Sequence, residues 1–355
     1  LIVSRTPYRI SFFGGGTDYP AWYGKHRGGV LATTIDKYCY LTCRYLPPFF
    51  EHKIRVVYSK IENCHSIDEI SHPAIREVLR FMEFDRGVEI HHDGDLPARS
   101  GMGSSSAFTV GLLHALYALK GAMPGKRRLA MEGIHVEQNI LKETVGSQDQ
   151  VSAAYGGFNH IQFFPNGEIS VTPVTIQPER LKQLNSNLML LYTGIKRTAS
   201  TIADSYVKNI DDSKRQLRIM RDLVDESLVI LNGNSDLIAF GELLDEAWRA
   251  KKGLSAAVTN LQVDDLYREA KAAGALGGKL LGAGGGGFML LFVPPERQQE
   301  LRERLRGTLF VPFKFEYSGS QIIFFDSEQD YSEEERIRAS QSLREFRELR
   351  GGGSN

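Results

Sequence analysis

The chain has 355 residues, 42% of them apolar, and its 43 basic residues balance 43 acidic ones. That length and composition read as a folded protein of two domains, and the charge balance gives no global field for nucleic acid or an anionic membrane. No apolar run reaches the length of a transmembrane helix, and neither nucleic acid nor membrane is expected as a partner. The opening residues are charged too early for a signal peptide, and the missing initiator Met suggests a trimmed chain. Cys39, Cys43 and Cys64 are odd in number and lack paired ligand spacing, so reduced thiols of a cytoplasmic protein are expected.

Residues 2–13 carry enough β-branched and aromatic side chains for a strand, which Gly14, Gly15 and Gly16 end. Such glycines permit close approaches and backbone angles closed to other residues. Thr17 and Asp18 follow, and Asp18 can accept from hydroxyls or simply serve a turn. After Gly28 and Gly29 comes a long β run in which Asp36 and Lys37 need solvent, each other or a ligand. Residues 54–58 read as a strand, 72–84 as a helix and 87–92 as a strand. Next, Gly101, Met102, Gly103, Ser104, Ser105 and Ser106 run straight into apolar positions at helical spacing, 108, 112, 113, 116 and 119. A helix start leaves N–H groups unpaired and favours negative charge. With no side chain at 101 or 103 a phosphate could approach them, and a serine could offer an oxygen to Mg²⁺. The alternative is a turn with an ordinary serine cap.

Residues 126–143 form an amphipathic pattern with Glu137 one residue off the apolar stripe. In Gly146-Ser147-Gln148-Asp149-Gln150, Ser147 reads as a helix cap with Gln150 at the capping-box position. Asp149 is then either a first-turn acid serving the dipole or a functional group. Strands at 158–164 and 168–175 flank the turn Pro165-Asn166-Gly167. The polar stretch 177–183 reads as a crossover, which sets domains at 1–178 and 179–330. A strand at 187–192 leads to a loop with Lys196 and Arg197, and helices at 198–207, 214–232, 235–252 and 263–273 suggest a helical layer on a sheet. Residues 277–287 contain seven glycines, costly to order, and so either a close-packed contact or a ligand loop. A strand (288–293), a helix (296–306) and strand-like residues through 325 follow, then a peripheral helix and frayed tail at 331–355.

The loop before the central helix lacks the Lys-Ser/Thr ending of a Walker A motif and the spacing of a dinucleotide fingerprint, and no zinc-protease, zinc-deaminase or G-x-S-x-G pattern occurs. Phosphoryl transfer needs a cradle for the donor phosphates, a Mg²⁺ ligand, a positioned acceptor and nearby positive charge, and each need has a candidate.

Three stretches resemble the motifs of the GHMP kinase family: residues 7–19 with Gly14-Gly15-Gly16-Thr17-Asp18-Tyr19, residues 96–107 with Gly101-Met102-Gly103-Ser104-Ser105-Ser106-Ala107, and residues 279–287 with Gly282-Ala283-Gly284-Gly285-Gly286-Gly287. With Gly146-Ser147-Gln148-Asp149-Gln150 they span nearly the whole chain in family order. The resemblance implies an α+β fold: an N-terminal domain like the second domain of ribosomal protein S5, a ferredoxin-like C-terminal domain, and an active site between them. It implies ATP and Mg²⁺, with Gly101 to Ser106, Gly284 and Gly285 at the nucleotide and Ser104 and Glu137 on the metal. Asp149 would be the general base and Arg9 its neighbour at the acceptor hydroxyl, while Gly16, Thr17, Asp18, Asp36 and Lys37 would meet the sugar. Within the family, GGGTDYP, LATTID and VGSQDQ resemble the bacterial kinases of D-glycero-D-manno-heptose 7-phosphate. These phosphorylate the anomeric hydroxyl on the way to GDP-heptose for capsule, S-layer or lipopolysaccharide. Ordinary galactokinases carry Glu-His where Gly15-Gly16 stand, which leaves fucose and related sugars as rival acceptors, and a non-catalytic sugar-binding regulator as the rival of another class. Arg197 is the first choice for the 7-phosphate, ahead of Lys37, Lys251 and Lys252. A homodimer is the expectation for assembly, though no motif encodes it.

Overall fold

The computed structural model describes residues 1–195, 199–208, 210–326 and 331–341. Among them the β-rich opening forms β1 (Ile2–Phe13), paired antiparallel with β2 (Gly28–Tyr45). The pairing register shifts between Pro7 and Arg9 and again between Ser11 and Phe13. Such irregularities bend a strand and re-aim its side chains, and here they bracket Arg9 and Ser11. The strands β3 (Ile54–Val57), β4 (Ile61–Cys64), β5 (Val88–Gly94), β6 (Phe158–Phe163) and β7 (Ile169–Pro173) extend this first sheet. Besides β1, the long β2 pairs through Gly28 to Thr33 with β6 and through Cys39 to Tyr45 with β5.

A second sheet holds β8 (Leu188–Tyr192), β9 (Gly277–Leu280), β10 (Phe288–Phe292) and β11 (Leu309–Val311) in the antiparallel order β11-β8-β10-β9. The last strands, β12 (Phe315–Glu316) and β13 (Gln321–Phe325), cross back and pair with β2 and β1. Residues 315–325 thus complete the first sheet, although they lie inside the stretch 179–330 that the sequence reading sets apart.

The helices are α1 (Pro20–Tyr23), α2 (Pro73–Phe81), α3 (Ser104–Leu119), α4 (Lys126–Ile134), α5 (Gln148–Tyr155), α6 (Pro178–Ser186), α7 (Ala199–Val207), α8 (Lys214–Asn232), α9 (Ile238–Lys252), α10 (Leu261–Ala272), α11 (Gln298–Arg304) and α12 (Ser332–Ser340). Helix α3 is apolar on nearly every side after its serines, and it is buried accordingly between the first sheet and α4 and α5. Phe240 of α9 sits edge-on to Phe12 and Phe13 of β1, with centroids 5.5 and 5.1 Å apart. Each such ring contributes roughly 1.5–3 kcal/mol by leaving water, so this cluster ties the second half of the chain to the first sheet. Helix α9 also rides on β9: a Cβ on Gly277 would lie 1.9 Å from the Gly241 carbonyl. Glycines at 277 and 278 therefore build a strand, where the composition suggests only loop. Cys39 and Cys43 lie buried on β2 as free thiols, four residues apart on one strand as expected, and Cys64 is free and buried too.

Three local expectations change. The polar stretch after Gln177 is a helix, α6, because Pro178 supplies the fixed φ of a first helical residue and Leu184 finds the core. Ser147 precedes α5 but makes no cap hydrogen bond, its hydroxyl pairing with Tyr23 and Gln138 instead. The expected capping box fails because the Gln150 amide turns to Glu137. Finally, the amphipathic helix that begins at Lys126 widens into a π-helical turn, His135–Ile140. The wider turn carries Glu137, one residue off the stripe, into a fully buried position.

Candidate active site

The site begins with a salt bridge between the first strand and the first turn of α5. Arg9 Nε donates to Asp149 Oδ1 at 2.7 Å and Nη2 to Oδ2 at 2.8 Å, a bidentate fork. The third arm of the guanidinium, Nη1, donates to the Gly101 carbonyl at 2.6 Å, and the Arg9 N–H donates to Met102 O at 3.1 Å. One arginine therefore fixes both the carboxylate and the glycine loop before α3.

That loop turns through left-handed angles at Gly101 (φ 82°) and Gly103 (φ 72°), which favour glycine. Gly103 precedes α3 and brings no side chain to cap it, and the first helical bond runs from Ala107 N to Gly103 O. The N–H groups of Ser104, Ser105 and Ser106 are left facing outward at the positive end of a 16-residue helix. A Cβ on Gly103 would lie 3.4 Å from Asp149 Oδ2. The carboxylate thus adjoins the start of α3.

Glu137 lies behind the serines. Its carboxylate accepts from Ser106 Oγ at 2.8 Å, from Ser105 Oγ at 3.5 Å and from Gln150 Nε2. Burial raises its carboxyl from 4.5 to about 7, against the pull of the Ser106 bond. Among the described residues no Lys or Arg pairs with it. A divalent cation would supply the absent charge, and one carboxylate with a hydroxyl and substrate phosphates is a donor set that suits Mg²⁺. Ser104 and Glu137 are not in contact: the Ser104 hydroxyl accepts from Arg99 N at 3.2 Å, and Ser105 and Ser106 stand beside Glu137.

Asp18 fastens two turns together. Its Oδ1 accepts from Gly16 N at 2.9 Å, its Oδ2 from Gln148 N at 3.3 Å, and its carbonyl from Ser147 N at 2.9 Å. Gly146 has no room for a side chain, since a Cβ would lie 1.9 Å from Asp18 Oδ2. Burial, with Asp149 adding to it, lifts the Asp18 carboxyl above its ordinary value, while the Gly16 N–H opposes the rise. Thr17 closes the same turn, donating from its hydroxyl to Gly14 O and Gly29 O. Gly16 itself takes φ 110°, with Leu217 and Leu254 of the second half beyond it.

The structure does not join Asp36 and Lys37 to this cluster by any hydrogen bond among the described residues. Lys37 Nζ donates to the Asp36 carbonyl and carboxylate, and Asp36 also accepts from Lys314 N. Lys251 is buried with its ammonium on the carbonyls of Leu280 and Gly282, and Lys252 pairs with Asp264 at 3.3 Å. Gly284 and Gly285 lie against Val258, where Gly285 N donates to Val258 O at 2.8 Å. Lys196 and Arg197 lie outside the described residues.

Sequence reasoning gave Lys279 no role and offered Lys251 only as a reserve for the 7-phosphate. Lys279 and Lys251 bring buried ammonium groups close to Arg9; Lys279 Nζ donates to Phe12 O at 2.8 Å. Burial and then the Arg9 charge bring Lys279 from 10.5 down to about 7, and Lys251 falls well below its ordinary value through burial and Lys279. Ser11 and Gln148 were also passed over, though Ser11 stands two residues from Arg9 on one strand and Gln148 next to Asp149. Period-two alternation was the available signal for Ser11.

Residues 70–157 match the model of the GHMP kinases N terminal domain, and residues 226–310 that of the GHMP kinases C terminal region. The D-glycero-alpha-D-manno-heptose 7-phosphate kinase of Campylobacter jejuni is 29% identical over 316 residues, 86% of this chain and 93% of that protein. Among solved structures, a D-glycero-D-manno-heptose 1-phosphate kinase from Bacteroides thetaiotaomicron superposes with a TM-score of 0.75 over 92% of this chain and 100% of the other, at 23% identity. Lactococcus lactis galactokinase with galactose superposes at 0.68 over 90% and 94%, at 18% identity. These two likenesses are of fold. No helix among the described residues is long and apolar enough to cross a membrane.

Proposed function

The chain belongs to the GHMP kinase family and is an ATP-dependent sugar kinase, and from that premise we propose that it phosphorylates the anomeric O1 of D-glycero-D-manno-heptose 7-phosphate. The observation that carries the chemistry is the Asp149 carboxylate, held by the Arg9 fork beside Gly103 at the start of α3. The acceptor rests on the 29% identical heptose 7-phosphate kinase and on the missing side chains at Gly15 and Gly16.

In this reading the ATP phosphates lie on the N–H groups of Ser104 to Ser106, with the Gly282–Gly287 loop behind them. The O1–H bond of the sugar breaks as O1 bonds to the γ-phosphorus, and the bond from that phosphorus to the β,γ-bridging oxygen breaks to release ADP. Asp149 takes the proton and passes it to solvent. Arg9 aims Asp149 through its two-bonded fork. Glu137 with the first-turn serines would hold Mg²⁺, Ser105 being nearer than Ser104; bound there, the ion neutralises charge on the phosphates. Asp18 meets sugar hydroxyls with the lone pairs its backbone bonds leave free. Arg197 meets the 7-phosphate.

One set of assays tests this. Wild type, Asp18→Asn and Arg197→Ala are given ATP with D-glycero-D-manno-heptose 7-phosphate, the unphosphorylated heptose, fucose and galactose, and product is measured. Charge-assisted contacts contribute roughly 1.5–3 kcal/mol each, so loss of the phosphate should cost wild type about a hundredfold or more in kcat/KM. Arg197→Ala should narrow that gap, whereas Asp18→Asn should harm both heptoses alike. Preference for a neutral sugar would overturn the acceptor and leave the kinase standing.

A further inference from the structure

Among the described residues, two buried polar atoms at the first glycine turn have no hydrogen-bond partner. Ser11 Oγ and Gln148 Oε1 are buried and make no hydrogen bond, in residues only 4% and 8% exposed. Ser11 Oγ and the Gln148 amide flank Gly15: a Cβ built there would lie 3.5 Å from Ser11 Oγ and 3.4 Å from Gln148 Nε2, the amide nitrogen beside the unpaired Oε1. Buried polar groups in folded proteins are almost always paired, and an orphan costs stability. An unpaired hydroxyl and a half-unpaired amide on either side of one bare Cα, one residue from Asp149 and two from Arg9, call for a ligand or a water.

We infer that Ser11 and Gln148, separated by the bare Cα of Gly15, form a hydroxyl-reading subsite for the acceptor sugar and set its specificity. The inference rests on the sugar-kinase reading above. Its chemistry is that of a neutral polyol. The orphan amide oxygen accepts only, and the serine hydroxyl both donates and accepts, so the pair suits a sugar hydroxyl, which also does both. A phosphate group, all acceptor, leaves Gln148 Oε1 unsatisfied. As placed, the amide brings Nε2 to Gly15, and turned the other way it brings Oε1; either atom pairs with a sugar hydroxyl. The phosphorylated end of the acceptor therefore points elsewhere, and this gap takes ring or side-chain hydroxyls near O1. Because Gly15 lies outside the left-handed region, alanine fits its backbone and only narrows the gap.

The test is a kinetic cycle on purified enzyme. Ser11→Ala, Gln148→Met and Gly15→Ala are assayed with ATP against the best acceptor of the sugar panel and against its singly deoxygenated analogues. Each variant should raise the acceptor KM about tenfold or more and leave the KM for ATP within twofold. With the parent sugar Ser11→Ala and Gln148→Met should lose activity. With the one analogue lacking the hydroxyl read here, wild type should already be as poor as the variants. That convergence is a signature a merely structural role would not produce. Equal losses on the parent and every analogue, or no loss at all, would overturn the subsite and leave a buried water as the occupant. If wild type prefers another sugar over the heptose phosphate, the acceptor proposed above falls, yet the same cycle run on that sugar still decides the subsite.

Discussion

The loop at Gly101 to Gly103 and the loop at Gly282 to Gly287 lie against each other, and glycine answers a different need in each. In the first, the left-handed turns at 101 and 103 leave N–H groups of α3 facing outward and bring the backbone alongside Asp149. In the second, the glycines are where main chain meets main chain. A Cβ on Gly287 would lie 2.2 Å from Ser100 O, one on Gly284 2.7 Å from Val258 O, and one on Gly282 2.6 Å from Gly101 Cα. Two of its N–H groups are held inside the protein: Gly285 donates to Val258, and Gly287 to the Thr193 hydroxyl. Thus the loop richer in glycine is the packed seam, and the poorer one opens onto the start of a long helix. Glycine content alone does not mark a place for phosphate; the positive end of a helix favours one.

If that division holds, rate should reside at the first loop and stability at the second. The largest effect is expected at the carboxylate beside Gly103. Asp149→Asn should lower kcat by two to four orders of magnitude with the melting temperature little changed; steady-state rates and a thermal melt on the same sample read both. A loss under tenfold would reduce Asp149 to a helix-dipole acid and remove the reason for calling the first loop the reactive one.

Gly287→Ala and Gly103→Ala form the matched pair. At 287 an alanine meets backbone in a left-handed conformation (φ 97°), and strain with overpacking should cost about 3 kcal/mol or more, seen as a lower urea midpoint. At 103 the nearest atoms are the side chains of Arg9 and Asp149, 3.1 and 3.4 Å away. There the cost in stability should be about 1–2 kcal/mol, but kcat and the KM for ATP should both suffer, roughly tenfold together. Equal stability losses with equal kinetic losses would erase the distinction.

Glu137 sharpens the picture through pH. Its folded value of about 7 lies above the ordinary 4.5, so the folded protein holds this proton more tightly. The associated stability is fully present below 4.5 and is lost as pH rises through about 7. Glu137→Gln should therefore gain on wild type between pH 5 and pH 8 by up to about 3 kcal/mol in urea melts, and the gap should close when Mg²⁺ and ATP are added. Activity of the same variant should require more Mg²⁺. The smallest effect is expected at Lys37: its ammonium is occupied by Asp36, and Lys37→Ala should shift the acceptor KM less than threefold.

Much of the fold was legible because its signals are local. Strand composition marked β1 and β2, helical spacing marked α3 and α8, and Pro165-Asn166-Gly167 marked the hairpin of β6 and β7. The glycine turn into α3 was equally legible, since glycine followed by serines before an apolar run marks a helix start. The pairing of Arg9 with Asp149 was legible only through the family resemblance, because nothing in the residues alone links positions 140 apart.

Sequence by itself determined which segments could be strand, helix or turn, and which residues had the chemistry for phosphoryl transfer. Tertiary structure decided which of them meet. It took β12 and β13 back to the first sheet, because edge hydrogen bonds of β1 and β2 can be filled by any strand that reaches them. It moved Glu137 inward through a π-helical turn and set Ser105 and Ser106, not Ser104, beside it, because side-chain direction depends on turn width that composition does not encode. It also made a seam of the glycine-richest loop, since the need for a missing Cβ is set by the atoms that approach from elsewhere in the chain.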